Sequence, residues 1–302
     1  MRINNEQMMR EIFKHFRRKT IVVKYGGAAM QSSALKNCVV KDIVNLREFG
    51  ANIVLVHGGG PELSSLQARL GLETRFIEGL RYTDADTMEA AMMALCGKVN
   101  KDLVRMFENE GTKAIGLSGI DGGMLRCKRQ ESPDLGFVGE VVRVKKDLLH
   151  LLLVGEIIPV ISTVGLGEDG LAYNINADTA AGRIAASLNA DYYITLSDVP
   201  GVMYDMNDPE SLIFQLETDE TEGLIASGVI SGGMIPKVRG LTDAIGRGVK
   251  SASIANGRVP HALILLLAAR AEIENGRMPS HEEGFVGTTI VGGRKAESDF
   301  FA

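Results

Sequence analysis

Three charged side chains carry the chemistry open to this chain, Lys24, Asp178 and Lys237, and each stands beside small residues. Lys24 and Tyr25 end the run TIVVKY, and Gly26 and Gly27 follow. Lys237 follows Gly232 and Gly233 in GGMIPKVRG, and Asp178 opens the helical pattern NADTAAGRIAASL. Glycines let backbone N–H groups approach an anion that a neighbouring lysine also attracts, which suggests phosphate. The arrangement is not a P-loop, because GxxxxGK[ST] holds its lysine inside the glycine loop, whereas Lys24 precedes its glycines. Local readings stand beside the functional ones. Lys24 could snorkel at a strand end, and Asp178 could be an ordinary helix cap. Lys237, in the first turns of a helix, opposes the helix dipole, a defect that a bound phosphate would offset.

A third glycine cluster strengthens the phosphate reading. IVLVHGGGPELSSL puts three glycines between a buried strand and a helix with Pro61 at its first position, where the fixed φ of proline suits a helix start. Backbone donors and the helix dipole then point at the strand end. Asn174 and Asn176, in NINAD, could offer amide contacts to a polar substrate, and Ser197 and Asp198 occupy another strand-to-loop corner in TLSDVPGV. No histidine is placed as a general base: His57 belongs to the glycine loop, and His15, His150, His261 and His281 are scattered. HGGG also serves as an esterase oxyanion loop, but the GxSxG elbow is missing, since GLSGI lacks its spacing. GLGEDG at 165 to 170 matches GxGxxG, yet strand-like LAYNI follows it, so a hairpin turn is expected there rather than a dinucleotide fingerprint.

These residues need a scaffold that brings strand ends together. Apolar runs at 20–24, 52–57, 113–117, 157–163, 191–196 and 251–255 alternate with helical patterns near 34–49, 61–70, 84–110, 178–188 and 235–247. That rhythm predicts a mainly parallel sheet covered on both faces, with ligands at the carboxyl ends of its strands. The stretch 124–145 reads as a β-hairpin at the sheet's edge. An amphipathic helix precedes the first strand, with Met9, Ile12, Phe13 and Phe16 on one stripe that packs either on its own domain or on a second subunit.

Bulk properties narrow the function. The 302 residues are 45% hydrophobic and 24% charged, enough for one bilobal domain or two small ones. A net charge of −5 argues against nucleic acid and for small-molecule chemistry. Cys38, Cys96 and Cys127 are isolated, without CxxC, so neither a disulfide framework nor a cysteine zinc site is indicated. The apolar stretch 148–161 is interrupted by His150, Glu156 and Pro159 and is too short for a membrane span, and the N-terminus lacks the apolar centre of a signal peptide. A cytoplasmic location is expected.

KYGG, VHGGGP, GLRYT, NINAD, LSDVPG and GGMIPKV, in this order from about 20 to 260, resemble the amino acid kinase family, and within it the members that phosphorylate N-acetyl-L-glutamate on its γ-carboxylate, a step of arginine biosynthesis. The resemblance implies an α/β fold, a three-layer α/β/α sandwich with a mainly parallel open sheet and two lobes: residues 20–190 for the acyl acceptor and dimerisation, 191–302 for ATP, after an N-terminal helix in 1–19. It implies that Lys24 and Lys237 stabilise the transferring phosphoryl group while Asp178 holds both lysines. Gly59, Gly60, Arg81, Asn174 and Asn176 would bind the acceptor, Arg81 offering its planar fork to a carboxylate. Gly26, Gly27, Ser197, Asp198 and Gly233 would line the nucleotide site. Magnesium is expected to arrive on the phosphates of ATP, with no protein cage of its own. Related members acting on N-acetyl-aminoadipate or aspartate, or a non-catalytic nucleotide or arginine sensor of the same fold, are the alternatives. The resemblance also implies a homodimer, or a hexameric ring joined through the N-terminal helix, and feedback by L-arginine. The segment after His261 is longer than in arginine-inhibited members, and Glu282, Glu283 and Gly284 mark the difference.

Overall fold

The computed structural model describes residues 6–277 and 287–293. Eight strands form one sheet in the order Gln215–Glu217, Gly287–Val291, Ser251–Asn256, Tyr192–Ser197, Thr20–Tyr25, Asn52–His57, Ile158–Ser162, Ala114–Ser118. The last six run parallel, Gly287–Val291 pairs antiparallel with Ser251–Asn256, and Gln215–Glu217 lies parallel to Gly287–Val291 at the edge. All six parallel strands coincide with the apolar runs read from the sequence. The helices Ser33–Glu48, Gly60–Leu70, Ala177–Ser187 and Met234–Gly246 begin and end within a residue of the expected patterns. The pattern at 84–110 folds as one helical run whose middle, Met92–Val99, is π-helical.

Alternation along the first strand decides where its lysine goes. Ile21, Val23 and Tyr25 join a core with Val40 and Ile43 of helix Ser33–Glu48, Phe107, and Leu263 and Leu267 of helix Ala262–Glu274. Val22 faces the other way and packs with Ala180, Ala181 and Ile184 of helix Ala177–Ser187. Side chains two apart share a face, so Lys24 points toward this second helix. The helix approaches closely because it is lined by alanines and Gly182, where an added Cβ would already touch the ring of Tyr193 at 3.6 Å.

One expectation resolves differently from the sequence reading. The 124–145 segment does form a hairpin, Leu125–Arg129 against Gly139–Val144, but it belongs to a separate four-stranded sheet with Val164–Gly167 and Ala172–Asn174. Its inward residues Leu125 and Cys127 are drawn into the core on the Ala177–Ser187 side, and Ala114–Ser118 takes the edge of the large sheet instead. The glycines explain the pairing: a Cβ on Gly165 would stand 3.2 Å from the Cys127 sulfur, so only glycine lets these strands close. The N-terminal helix, Glu6–His15, packs within its own chain. Phe13 stacks on Phe49 at 5.0 Å between centroids, and Phe16, just past the helix end, meets Tyr192 edge-on at 5.2 Å. Glu282, Glu283 and Gly284 lie outside the described residues. Among the described residues no helix is long and apolar enough to cross a membrane.

Candidate active site

Strand order reverses around the Thr20–Tyr25 strand: the next strand in sequence lies on one side and Tyr192–Ser197 on the other, which opens a crevice beyond the carboxyl ends. Lys24 sits at that end, in register with Val56 and Thr195. It is buried, and its Nζ reaches Asp178, 3.0 Å from Oδ1 and 3.2 Å from Oδ2. Asp178 is free for this contact because it is not the helix cap. Asn176 is: its Oδ1 accepts from the N–H groups of Asp178 at 3.0 Å and Thr179 at 3.1 Å. The cap thus fixes the turn from which the carboxylate projects, and the side-chain oxygen of Asn176 is spent on that task.

The glycine loop is held from within. His57 is fully buried; its Nδ1–H donates to the Gly58 carbonyl at 2.8 Å, and its Nε2 accepts from the Asn100 amide at 3.0 Å. Burial pushes the imidazole down to about 4, so it is neutral at pH 7. Gly59 is required by space: a Cβ there would lie 2.7 Å from Leu95 Cδ2 and 3.1 Å from Val99 Cγ2. Gly60 begins helix Gly60–Leu70, with nothing within 4 Å of an added Cβ, because it faces a cavity. Across the loop, Gly58 N–H donates to the Tyr25 carbonyl at 2.9 Å, and an added Cβ on Gly26 would stand 3.5 Å from Lys24 Cε. Gly27 follows in a positive-φ conformation and is exposed.

That cavity, of about 440 Å³, is lined by Gly60, Ser64, Phe76, Arg81, Asn174 and Asn176 among others. Arg81 is buried yet has no carboxylate partner among the described residues. Its Nη2 donates to the Gly60 carbonyl at 3.1 Å and to Ser64 Oγ at 2.7 Å, its Nη1 donates to Gln67 Oε1, and the guanidinium lies 4.9 Å from the Phe76 ring centroid. Desolvation pulls its pKa down, so the charge is held at a cost that a bound anion would relieve. Asn174 Nδ2 donates to Thr83 Oγ1 at 3.3 Å.

A larger cleft of about 770 Å³ adjoins the first, sharing Gly79, Leu80, Val138 and Asn176 with it. Asp178, Gly232, Gly233 and Lys237 line it. Gly233 stands immediately before helix Met234–Gly246, and Lys237 makes no ion pair among the described residues. Asp178 therefore contacts one of the two lysines expected beside it, while the other shares its cleft. Ser197 ends its strand buried, its hydroxyl 3.3 Å from Asp198 Oδ1, and Asp198 faces Arg258 at 3.8 Å.

Gln67, Ser64 and Asn100 escaped the sequence reading. For two of them a signal was available: Gln67 falls on the buried stripe of its helix with Leu63, and Asn100 on that of its own with Leu103 and Phe107, polar side chains where spacing asks for apolar ones.

Fold and site together define a three-layer α/β/α protein with glycine-rich strand ends, Lys24 and two adjoining clefts, lined by Arg81 and by Asp178 and Lys237, at the switch point of its sheet. The chain belongs to the amino acid kinase family, whose model matches residues 19–256. It is 49% identical to the acetylglutamate kinase of Clostridioides difficile strain 630 over 246 residues, covering 82% of this chain and 86% of that one. It is 46% identical to the acetylglutamate kinase of Heliobacterium modesticaldum over 263 residues, with coverage of 83% and 89%. The carbamate kinase of Giardia lamblia bound to AMP-PNP superposes with a TM-score of 0.63 at 17% identity over 91% of this chain and 99% of that one, a likeness of fold alone.

Proposed function

We propose that this chain transfers the γ-phosphoryl group of ATP to the γ-carboxylate of N-acetyl-L-glutamate, giving N-acetyl-L-glutamyl 5-phosphate and ADP, in arginine biosynthesis. The observation that carries the reading is the buried Arg81, without a carboxylate partner among the described residues, in a cavity contiguous with the cleft of Asp178 and Lys237. A dicarboxylate acceptor fits this pair of spaces. Its α-carboxylate neutralises Arg81, and its γ-carboxylate reaches toward the lysines. Asn174 and the open face of Gly60 complete the acceptor side, and Asn176 shapes it through the helix start.

Chemistry of this kind needs little from the protein beyond position and charge. A carboxylate oxygen is already a nucleophile, so it attacks the γ-phosphorus without a base while the bond to ADP breaks. Charge on the transferring oxygens is met by Lys24, aimed by Asp178, and by Lys237 from the other side of the cleft. Gly26, Gly27 and Gly233 let backbone come close to the phosphates, and Ser197 and Asp198 flank the nucleotide. In this reading residues 20–190 form the acceptor lobe and 191–302 the nucleotide lobe. Magnesium would arrive as a passenger of ATP, with the phosphate oxygens supplying most of its ligands. When bound, it would neutralise charge between the β- and γ-phosphates.

By resemblance the proposal extends to a cytoplasmic enzyme, to L-arginine as a feedback ligand and to a homodimer or trimer of dimers. Hydroxylamine trapping of the acyl phosphate with magnesium and ATP tests the core of it. Hydroxamate is expected from N-acetyl-L-glutamate and not from glutamate, aspartate or N-acetyl-aminoadipate. Product from another of these acceptors alone would transfer the reading to that carboxylate, and ATP binding with no product would make the chain a sensor. Sedimentation velocity with and without arginine tests assembly.

A further inference from the structure

Gln67 has no assigned part in the site, yet every hydrogen-bonding position of its side chain is used. Its Nε2 donates to the Glu73 carbonyl at 3.3 Å and to Thr87 Oγ1 at 3.1 Å, and its Oε1 accepts from Thr74 Oγ1 at 3.0 Å and from Arg81 Nη1. The amide cannot be turned round, because the Glu73 carbonyl only accepts and the guanidinium only donates. Gln67 is fully buried, so water does not replace any of these partners.

We propose that Gln67 is a positioning residue for acceptor recognition, one that fixes the Arg81 guanidinium while leaving its charge unspent. The inference rests on the reading of Arg81 as the partner of the acceptor's α-carboxylate. All three groups that hold the guanidinium, the Gln67 amide, the Gly60 carbonyl and the Ser64 hydroxyl, are neutral. They occupy three of its five N–H donors and leave two without partners among the described residues. A glutamate at 67 would fill nearly the same volume but would pair with Arg81 as a carboxylate, and the site would then be neutral before the acceptor arrived. The amide gives orientation without neutralisation, so the acceptor's own carboxylate is the first anion that Arg81 meets. The device selects acceptors that carry a second carboxylate.

The test compares two acceptors, N-acetyl-L-glutamate and N-acetyl-4-aminobutyrate, which has the reacting carboxylate but no α-carboxylate. In Gln67→Glu, kcat/KM for N-acetyl-L-glutamate should fall by about tenfold to a hundredfold, the size of a lost charge-assisted contact, through KM more than kcat. For N-acetyl-4-aminobutyrate it should change by about twofold or less, and KM for ATP should hold. Gln67→Met and the less embedded Ser64→Ala should shift the same ratio less strongly, with thermal melts reporting folding. In an Arg81→Ala background, Gln67→Glu should cause no further loss for N-acetyl-L-glutamate, since the two residues act as one unit. Equal losses for both acceptors, or full additivity with Arg81→Ala, would make Gln67 a brace for the 73–87 segment and overturn the inference alone. If Arg81→Ala itself cost the two acceptors equally, Arg81 would not be the carboxylate's partner, and the reading beneath the inference would fall with it.

Discussion

Lys24 and Asp178, 154 positions apart in the chain, meet with Nζ 3.0 Å from one carboxylate oxygen and 3.2 Å from the other. Their contact joins the end of a central strand to the first turn of the helix packed on its face, and strand alternation directs the lysine there. Among the described residues Asp178 is the one carboxylate that pairs with this buried lysine, and under the proposed function the transferring phosphoryl group brings it further negative charge.

Lys24→Ala should therefore act on turnover. Removing a donor that meets charge only as it develops lowers kcat by about a hundredfold to a thousandfold. Acceptor KM should move far less, and steady-state kinetics of hydroxamate formation reads the split. Equal losses in both would place the lysine in ground-state binding.

Two neighbouring glycines should respond in opposite ways. Gly59→Ala forces a Cβ against Leu95 and Val99, and overpacking of this kind costs about 1–3 kcal/mol. A lowered melting temperature is expected. Gly60→Ala places its Cβ in the open cavity beside Arg81, so the melting temperature should hold while acceptor KM rises severalfold. Thermal melts paired with initial rates decide both.

His57 gives the fold a definite acid sensitivity. Its folded pKa of about 4 lies below the ordinary 6.5 of the unfolded chain, so the unfolded state binds more protons between these values. The contribution is fully present above pH 6.5 and is lost as pH falls toward 4, by about 3 kcal/mol at most. His57→Asn should flatten this part of the stability profile, measured as the difference in urea midpoints between the two proteins across that window.

His261 and Asp42 form a second titrating contact, with Nδ1 2.6 Å from Oδ1 at the start of helix Ala262–Glu274. Asp42 is buried and its Oδ2 has no hydrogen-bond partner among the described residues; desolvation raises its pKa against the lowering effect of His261 and the Ile264 backbone, while the hydrogen bond to Asp42 raises that of His261. A raised histidine pKa stabilises below 6.5 and ceases to do so as pH climbs through the folded value. His261→Ala should lower the melting temperature most near pH 6, where Asp42 is left as a lone buried carboxylate. The difference should shrink at more acid pH as Asp42 takes up a proton.

Much of this molecule was legible along the chain. The six parallel strands, the glycine loops and Lys24 at the end of its strand follow from runs of branched apolar residues bounded by glycine. What resisted reading was polar and internal. Gln67 and Asn100 occupy apolar positions of their helices, and only their partners, which for Asn100 lie 17 or more residues away and for Gln67 include Arg81 and Thr87 beyond the helix, explain them. The hairpin at 125–144 was visible as a hairpin but not in its placement, because pairing between sheets depends on which glycines let two backbones close.

The sequence by itself determined the elements and their order, since periodicity and local backbone preference are written in neighbouring residues. Tertiary structure alone decided which residues meet. It turned Lys24 to the Asp178 face and buried Arg81 among neutral acceptors. Each of these outcomes depends on the distance, burial and charge of groups brought together from far along the chain, and no local pattern encodes them.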